Sequence, residues 1–346
     1  MTMPAASPPP PDSWVRPCPP EQGGGLWVEP GGFHVDPTRA VTRAVITHGH
    51  SDHARPGHAQ VLATAPTLDI MRARLGASAG GSLQTLPYHQ PLRIQDVTVT
   101  LVPAGHVLGS AQVVLEYQGS RVVVSGDYKR RHDPTCAPFE PVACDAFITE
   151  ATFGLPVFRH PPAAAEIARL LHAGQVFPER SLVVGCYALG KCQRLIAHLR
   201  EAGYDKPLYL HGAHLPLCEL YQRHGVDLGE LRPATVTGKE EMQGAIVLAP
   251  PSALMDKWAR RLPDPLIAYA SGWMRVRARA RQHGVEMPLV ISDHADWDEL
   301  CETLQDVAAP EVWVTHGAEE ALVHWANLNG FRARPLHLIG FGDEET

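Results

Sequence analysis

The stretch Thr47-His-Gly-His-Ser-Asp-His53 holds the densest chemistry in the chain, with His48, His50, Asp52 and His53 as four metal-binding side chains in immediate succession. Imidazole nitrogens and carboxylate oxygens suit zinc, manganese or iron, and a thiolate-free set argues against a structural site of the zinc-finger kind. Four ligands this close in sequence cannot all reach one ion with good geometry and leave it open for chemistry. Two neighbouring ions sharing the loop is the better reading.

The elements that must hold this loop are legible around it. Ala44-Val45-Ile46 reads as a short buried strand, so the ligands fall on the loop that leaves it. Upstream, strands are expected at 26–28 and 33–35 around a Pro30-Gly31-Gly32 turn, the second ending at Asp36-Pro37. Asp36 is either an ordinary turn residue or an acceptor that orients a metal-bound histidine. Downstream come a strand at 61–63, a helix at 66–75 and strands at 92–94, 97–102, 111–117 and 121–124. Between two of these, a Gly-bounded loop presents His106, and Asp127 follows the buried run Val122-Val123-Val124. Each would be unremarkable alone. Their order behind the histidine loop, each at a strand end, makes both candidate ligands.

At 346 residues, with 45% hydrophobic residues, 30 Gly and 32 Pro, the chain is long enough for two domains or one with a large insert. Its net charge of −7 offers no global attraction for nucleic acid, although divalent cations would reverse the sign locally. The seven cysteines are scattered, odd in number and without a CxxC pair, and read as reduced thiols of a cytoplasmic protein. No apolar run is long enough to span a membrane, and no signal peptide is evident. Residues 1–25, rich in Pro and ending in Gly23-Gly24-Gly25, read as a disordered tail.

The stretch beyond Asp127 is long enough to hold a second domain. After a strand ending in Glu150, helices expected at 163–171, 190–202, 215–224 and 251–262 alternate with strands at 182–185, 208–210, 245–248 and 266–270. That alternation indicates a largely parallel sheet covered by helices. Gly185-x4-Gly190-Lys191 nearly spells a phosphate-binding P-loop, but Cys192 stands where Ser or Thr must meet magnesium. Gly190 and Lys191 are then either a contact to a nucleic-acid phosphate or a plain strand-to-helix turn with a solvated lysine. Arg275, Arg277, Arg279 and Arg281 form the densest basic stretch, either a phosphate-contacting surface or an exposed charged helix. His211 and His214 read as turn or helix-start residues.

HxHxDH, a Gly-His loop and a strand ending in Ser125-Gly126-Asp127 together resemble the metallo-β-lactamase fold, a four-layer αββα sandwich. The resemblance implies one divalent ion held by His48, His50 and His106, and a second by Asp52 and His53, with Asp127 bridging and His316 as the last ligand. The long α/β gap resembles the β-CASP insert of the nucleic-acid-processing branch, whose motifs are matched by Glu150, by Ile291-Ser-Asp-His294-Ala-Asp296 and by His316. Segments 47–58, 185–193, 271–274 and 292–297 closely resemble the short bacterial ligase-associated DNA exonucleases. The expected domains are 1–25 as tail, 26–160 and 289–346 as the two parts of the metallo-β-lactamase domain, and 161–288 as the insert.

The family implies a DNA exonuclease of repair, acting on single-stranded or end-containing DNA beside an ATP-dependent ligase and a helicase, with zinc or manganese. Asp52 and Asp127 would bind metal and orient the nucleophile. His294 would serve the departing oxygen as general acid, with Glu150 accepting its other N–H. An RNA-processing β-CASP nuclease is the alternative, since His316 fills a position where the DNA-processing branch resembling Artemis usually has Val. A small-ester hydrolase would need neither the insert nor Glu150 and His294, and a non-catalytic scaffold would not need a complete ligand set.

Overall fold

The computed structural model describes residues 7–282 and 284–339. It divides into two compact units: Met1–Arg131, Pro138–Leu155 and Trp297–Thr346 form the first, and His132–Ala137 with Pro156–Asp296 form the second.

Two sheets build the first unit. One has strands β1 (Val15–Pro17), β2 (Leu26–Val28), β3 (Phe33–Val35), β4 (Arg43–Val45), β5 (Gln60–Ala63) and β6 (Ser82–Thr85) in sequential order. The first two pairings are antiparallel, and β3 onward runs parallel. The other sheet contains β7 (Leu92–Ile94), β8 (Val97–Pro103), β9 (Ala111–Tyr117), β10 (Ser120–Val124) and β11 (Ala146–Ala151), and is completed after the second unit by two more strands described below.

Alternation along these strands decides which side chains meet. Val97, Val99 and Leu101 of β8, Val113 and Leu115 of β9, and Val122 and Val124 of β10 enter one core with Leu26, Val28, Phe33, Val35 and Val45 of the first sheet. The two sheets therefore pack face to face. Helix α1 (Ala65–Leu75) covers the opposite face of the first sheet, where Leu68 and Met71 pack with Ala44, Ile46, Val61 and Ala63. Its start is set by Thr64, whose side chain accepts from the Thr67 N–H, and by Pro66 in the first turn.

The turn between β9 and β10 is tighter than the sequence suggests. Tyr117 pairs with Ser120 across Gln118-Gly119, whose φ values are 47° and 86°. Positive φ at both central residues is the primed turn that matches the strand twist.

Residues 1–25 do not behave as a disordered tail throughout. Val15–Pro17 pairs antiparallel with Leu26–Val28, and Trp14 and Val15 lie in the shared core. The indole N–H of Trp14 donates to Ser120 Oγ at 3.3 Å. Composition misled here because two apolar side chains among many prolines are enough to dock a short edge strand, where proline is tolerated. Residues 1–6 lie outside the described part.

The second unit holds one all-parallel sheet with strand order β14-β13-β15-β12-β16-β17, where β12 is Leu182–Gly185, β13 Leu208–Leu210, β14 Leu231–Pro233, β15 Ile246–Ala249, β16 Leu266–Ala270 and β17 Met287–Leu289. Helix α2 (Ala163–Val176) leads into β12, α3 (Lys191–Glu201) and α4 (Leu215–Arg223) provide the crossovers to β13 and β14, and α5 (Arg277–Gln282) precedes β17. The helix expected over 251–262 is absent. Short 3-10 turns at Pro251–Ala253 and Ala259–Arg261 stand in its place. Asp256 Oδ1 accepts its neighbour Lys257's N–H, a local bond that competes with a helical ladder.

The chain then returns to the first unit through α6 (Trp297–Val307), β18 (Glu311–Gly317), α7 (Glu319–Leu328) and β19 (Arg332–Pro335), with β18 inserted in parallel between β11 and β19. Among the described residues no helix is long and apolar enough to cross a membrane.

Candidate metal centre

Strand direction gathers the first unit's polar residues. Asp36 follows β3, the His48–His53 loop follows β4, His106 follows β8, Asp127 follows β10, and Glu150 and His316 close β11 and β18. Within each sheet these strands run the same way, so every one of these residues sits at a carboxyl end. Polar side chains are tolerated there because the ladder has ended and loop backbone supplies partners.

His48, His50, His106 and Asp127 converge. His50 Nδ1 lies 3.1 Å from His48 Nε2 and 2.9 Å from His106 Nε2, while Asp127 Oδ2 lies 3.4 Å and 3.7 Å from the same two nitrogens. Ligands about 2.0–2.1 Å from a tetrahedral ion would stand about 3.3 Å apart. The observed separations bracket that value, so the four atoms form a ready cage. His53, Asp127 and His316 make a second group that shares Asp127, with ligand atoms within 4.8 Å of one another. His316 is exposed, and so is Asp52, which stands outside both groups with its carboxylate 3.8 Å from His53 Nε2. The other six candidate ligands fall into two adjoining sets with one common carboxylate.

Their supports are equally specific. Asp36 Oδ2 stands 2.7 Å from His53 Nδ1 and accepts from the Thr47 hydroxyl at 2.6 Å, while Asp36 Oδ1 accepts the Thr47 N–H at 2.8 Å. These contacts leave His53 Nε2 facing the other candidate ligands, the arrangement an orienting acceptor would give. Burial works against the charge on Asp36, but His53 and the hydrogen bonds from His53 and Thr47 hold its carboxyl below the ordinary range. Burial likewise disfavours a charged His53, yet Asp127 and Asp36 outweigh it and push its pKa up to about 10. His48, buried beside that positive imidazole, is held below its ordinary value. Without metal, a proton on His53 thus balances the carboxylates.

Backbone shape fixes the remaining ligands. Asp36 and His316 adopt left-handed φ values of 45° and 55°, unusual for residues with a side chain. Gly126 has φ +57°, and a Cβ there would sit 2.8 Å from Thr47 Cβ, so only glycine lets the Asp127 loop lie against the histidine loop. Glu150 is buried and accepts the Tyr128 N–H at 2.8 Å, pinning the residue after Asp127.

Thr47, Arg74 and Glu299 were not singled out in the sequence. Arg74 donates to the Gly49 carbonyl at 2.5 Å, and Glu299 binds Lys129 Nζ at 2.5 Å and accepts the N–H groups of Arg130 and Arg131. Lys129 is consequently buried against α6 rather than free. Only the position of Thr47 directly before the first histidine could have signalled its role; the other two are joined to the site by folding alone.

The second unit carries the rest of the expected site. His294 follows β17, its N–H held by Ser292 Oγ at 3.0 Å. Lys191 is not solvated: its ammonium is buried 2.7 Å from Asp293. The Gly190 N–H is taken by Gln193 Oε1 at 2.8 Å and the Cys192 N–H by the Tyr187 carbonyl at 3.0 Å. The expected phosphate contact at Gly190 and Lys191 is therefore corrected: the donors are already satisfied inside the unit. Arg275 and Arg277 are exposed, in the turn before α5 and at its first residue.

No protein-family model matches the chain. A protein of Opitutus terrae named a probable DNA ligase is 30% identical over 298 residues, an alignment covering 85% of this chain and 28% of that protein. The chain thus spans well under half of that relative. Ribonuclease TTHA0252 of Thermus thermophilus is 25% identical over 389 residues, covering 90% of this chain and 89% of the enzyme. Among solved structures, a protein of unknown function from Enterococcus faecalis V583 superposes with a TM-score of 0.57 at 13% identity, covering 81% of this chain and 77% of that one.

Proposed function

Because the chain belongs to the metallo-β-lactamase β-CASP family, we propose that it is a metal-dependent nuclease that hydrolyses DNA, acting as an exonuclease in repair. The observation that carries the hydrolytic reading is the pair of adjoining ligand sets meeting at Asp127. The two packed sheets, with α1 against one outer face, are read as the αββα sandwich, and the parallel-sheet unit as the β-CASP insert.

Two divalent ions, zinc or manganese, fit these donors, and when bound they would neutralise charge at phosphorus and lower the pKa of an attacking water. His48, His50, His106 and Asp127 would hold one, and Asp52, His53, His316 and Asp127 the other. Asp36 fixes the tautomer of His53, so a lone pair rather than an N–H faces the centre. Asp127, accepting on both sides, orients the nucleophile's proton, and Glu150 keeps the Asp127 loop in place. His294 is assigned the proton delivered to the departing oxygen, an assignment that rests on its sequence motif.

The relative named as a DNA ligase supports the DNA reading and a functional association with ligation. Association with a helicase rests on the sequence resemblance alone, and a cytoplasmic location on the scattered cysteines. The relative named as a ribonuclease, which matches nearly end to end, supports RNA processing as the second reading.

The test is digestion of end-labelled single- and double-stranded DNA and matched RNA, with zinc and manganese supplied separately. DNA shortened from its ends supports the proposal, and faster or equal cleavage of RNA supports the second reading. No cleavage of either polymer with either metal would sink the nuclease assignment.

A further inference from the structure

The second unit contains a buried thiol and imidazole cluster for which phosphodiester hydrolysis has no use. Cys186 follows β12, Cys192 lies in the first turn of α3, His214 precedes α4 and Cys218 lies in the first turn of that helix. All four are fully buried. The ligand atoms of Cys186, Cys192 and His214 lie within 4.8 Å of one another. His214 Nδ1 is 3.4 Å from Cys192 Sγ, and Cys218 Sγ is 3.9 Å from the same sulfur.

Tetrahedral zinc, with bonds of about 2.3 Å to sulfur and about 2.0 Å to nitrogen, places neighbouring sulfurs about 3.8 Å apart and sulfur and nitrogen about 3.5 Å apart. Both observed separations match. His214 Nδ1 is the ring nitrogen that faces the Cys192 sulfur. Gln193 Nε2 donates to Cys218 Sγ at 3.3 Å, the kind of contact that orients and stabilises a sulfur ligand.

We propose that Cys186, Cys192 and His214 form a structural zinc site in the second unit, with Cys218 beside Cys192 as the neighbouring thiol. Two thiolates cancel the charge of the ion, so the site suits a buried position. The ligands come from the end of β12 and the starts of α3 and α4, so the ion braces these helices against the carboxyl end of a central strand. The residue before Cys192 is Lys191, paired with Asp293 next to His294, so the brace supports that loop as well. Binding releases the protons that burial keeps on Cys192, whose thiol is held well above its ordinary value.

The test replaces bound metal in the full-length protein with cobalt and records the spectrum. Thiolate-to-cobalt charge-transfer absorption in the near ultraviolet is expected, and the histidine and carboxylate centre of the first unit cannot produce it. The band should survive Asp127→Ala and vanish in Cys192→Ser, with zinc content falling by one ion per chain. A wild-type protein that takes up cobalt without this band overturns the proposal. That readout needs no variant and stands even if Cys192→Ser does not fold.

Discussion

At the scale of single residues, His53 sets the linkage between metal and protons. Its pKa of about 10 in the metal-free protein means that a bound ion must displace its proton at neutral pH. Apparent metal affinity should therefore rise about tenfold per pH unit for each proton displaced, up to the vicinity of pH 10. Because the folded pKa lies above the unfolded one, the stabilisation is complete below about pH 6.5 and is lost as pH rises toward 10. Thermal melts of the metal-free protein and of His53→Gln should accordingly converge at high pH, and curves that stay parallel would contradict the charge pairing. Asp36→Ala should lower metal affinity or activity by about 10- to 100-fold, since it removes the group that fixes the His53 ring. Competitive metal titration measures it, and an unchanged affinity would leave Asp36 as a turn residue.

At the scale of elements, the N-terminal strand is a stabilising part of the fold. Trp14 sits in the core shared by both sheets of the first unit, with its N–H on Ser120. Trp14→Ala should cost about 3–5 kcal/mol, the usual range for deleting a buried large aromatic side chain. Urea denaturation reads the loss. A change within experimental error would show the strand to be undocked in solution. The loop after β10 is a second case: Gly126 admits it, Glu150 pins it at Tyr128, and Glu299 of α6 holds its far end at Lys129, Arg130 and Arg131. Three separate elements thus fix the position of one carboxylate, Asp127.

At the scale of the whole molecule, the metal cage and His294 belong to different units. Metal retention and turnover should therefore come apart in mutants. Asp127→Ala should lose both bound metal and activity, because it removes the ligand common to both sets. His294→Ala should keep the metal content of the first unit and lose turnover. Metal analysis beside single-turnover kinetics separates the two. Loss of metal in His294→Ala would make that histidine a ligand instead.

The ligand set was legible in the sequence because each ligand sits at the end of a short apolar strand, and strand ends are local features. His48, His50, Asp52 and His53 stood out by spacing, His106 and Asp127 by their strand-end places behind them, and the parallel sheet by its alternating helices and strands, whereas His316 was named through the family resemblance. Other features depended on which strands become neighbours. Asp36 reaches Thr47 and His53 only because β3 and β4 pair in parallel, placing its carboxylate beside them. Lys191 looked like a solvated phosphate contact until Asp293 arrived from a distant loop to neutralise it. Three of the seven scattered cysteines, Cys186, Cys192 and Cys218, looked like unrelated reduced thiols until α3 and α4 gathered them at the end of β12. Spacing along the chain records chemistry that a single loop can hold. Burial, charge pairing and any ligand set assembled from several elements exist only once the backbone has closed around them.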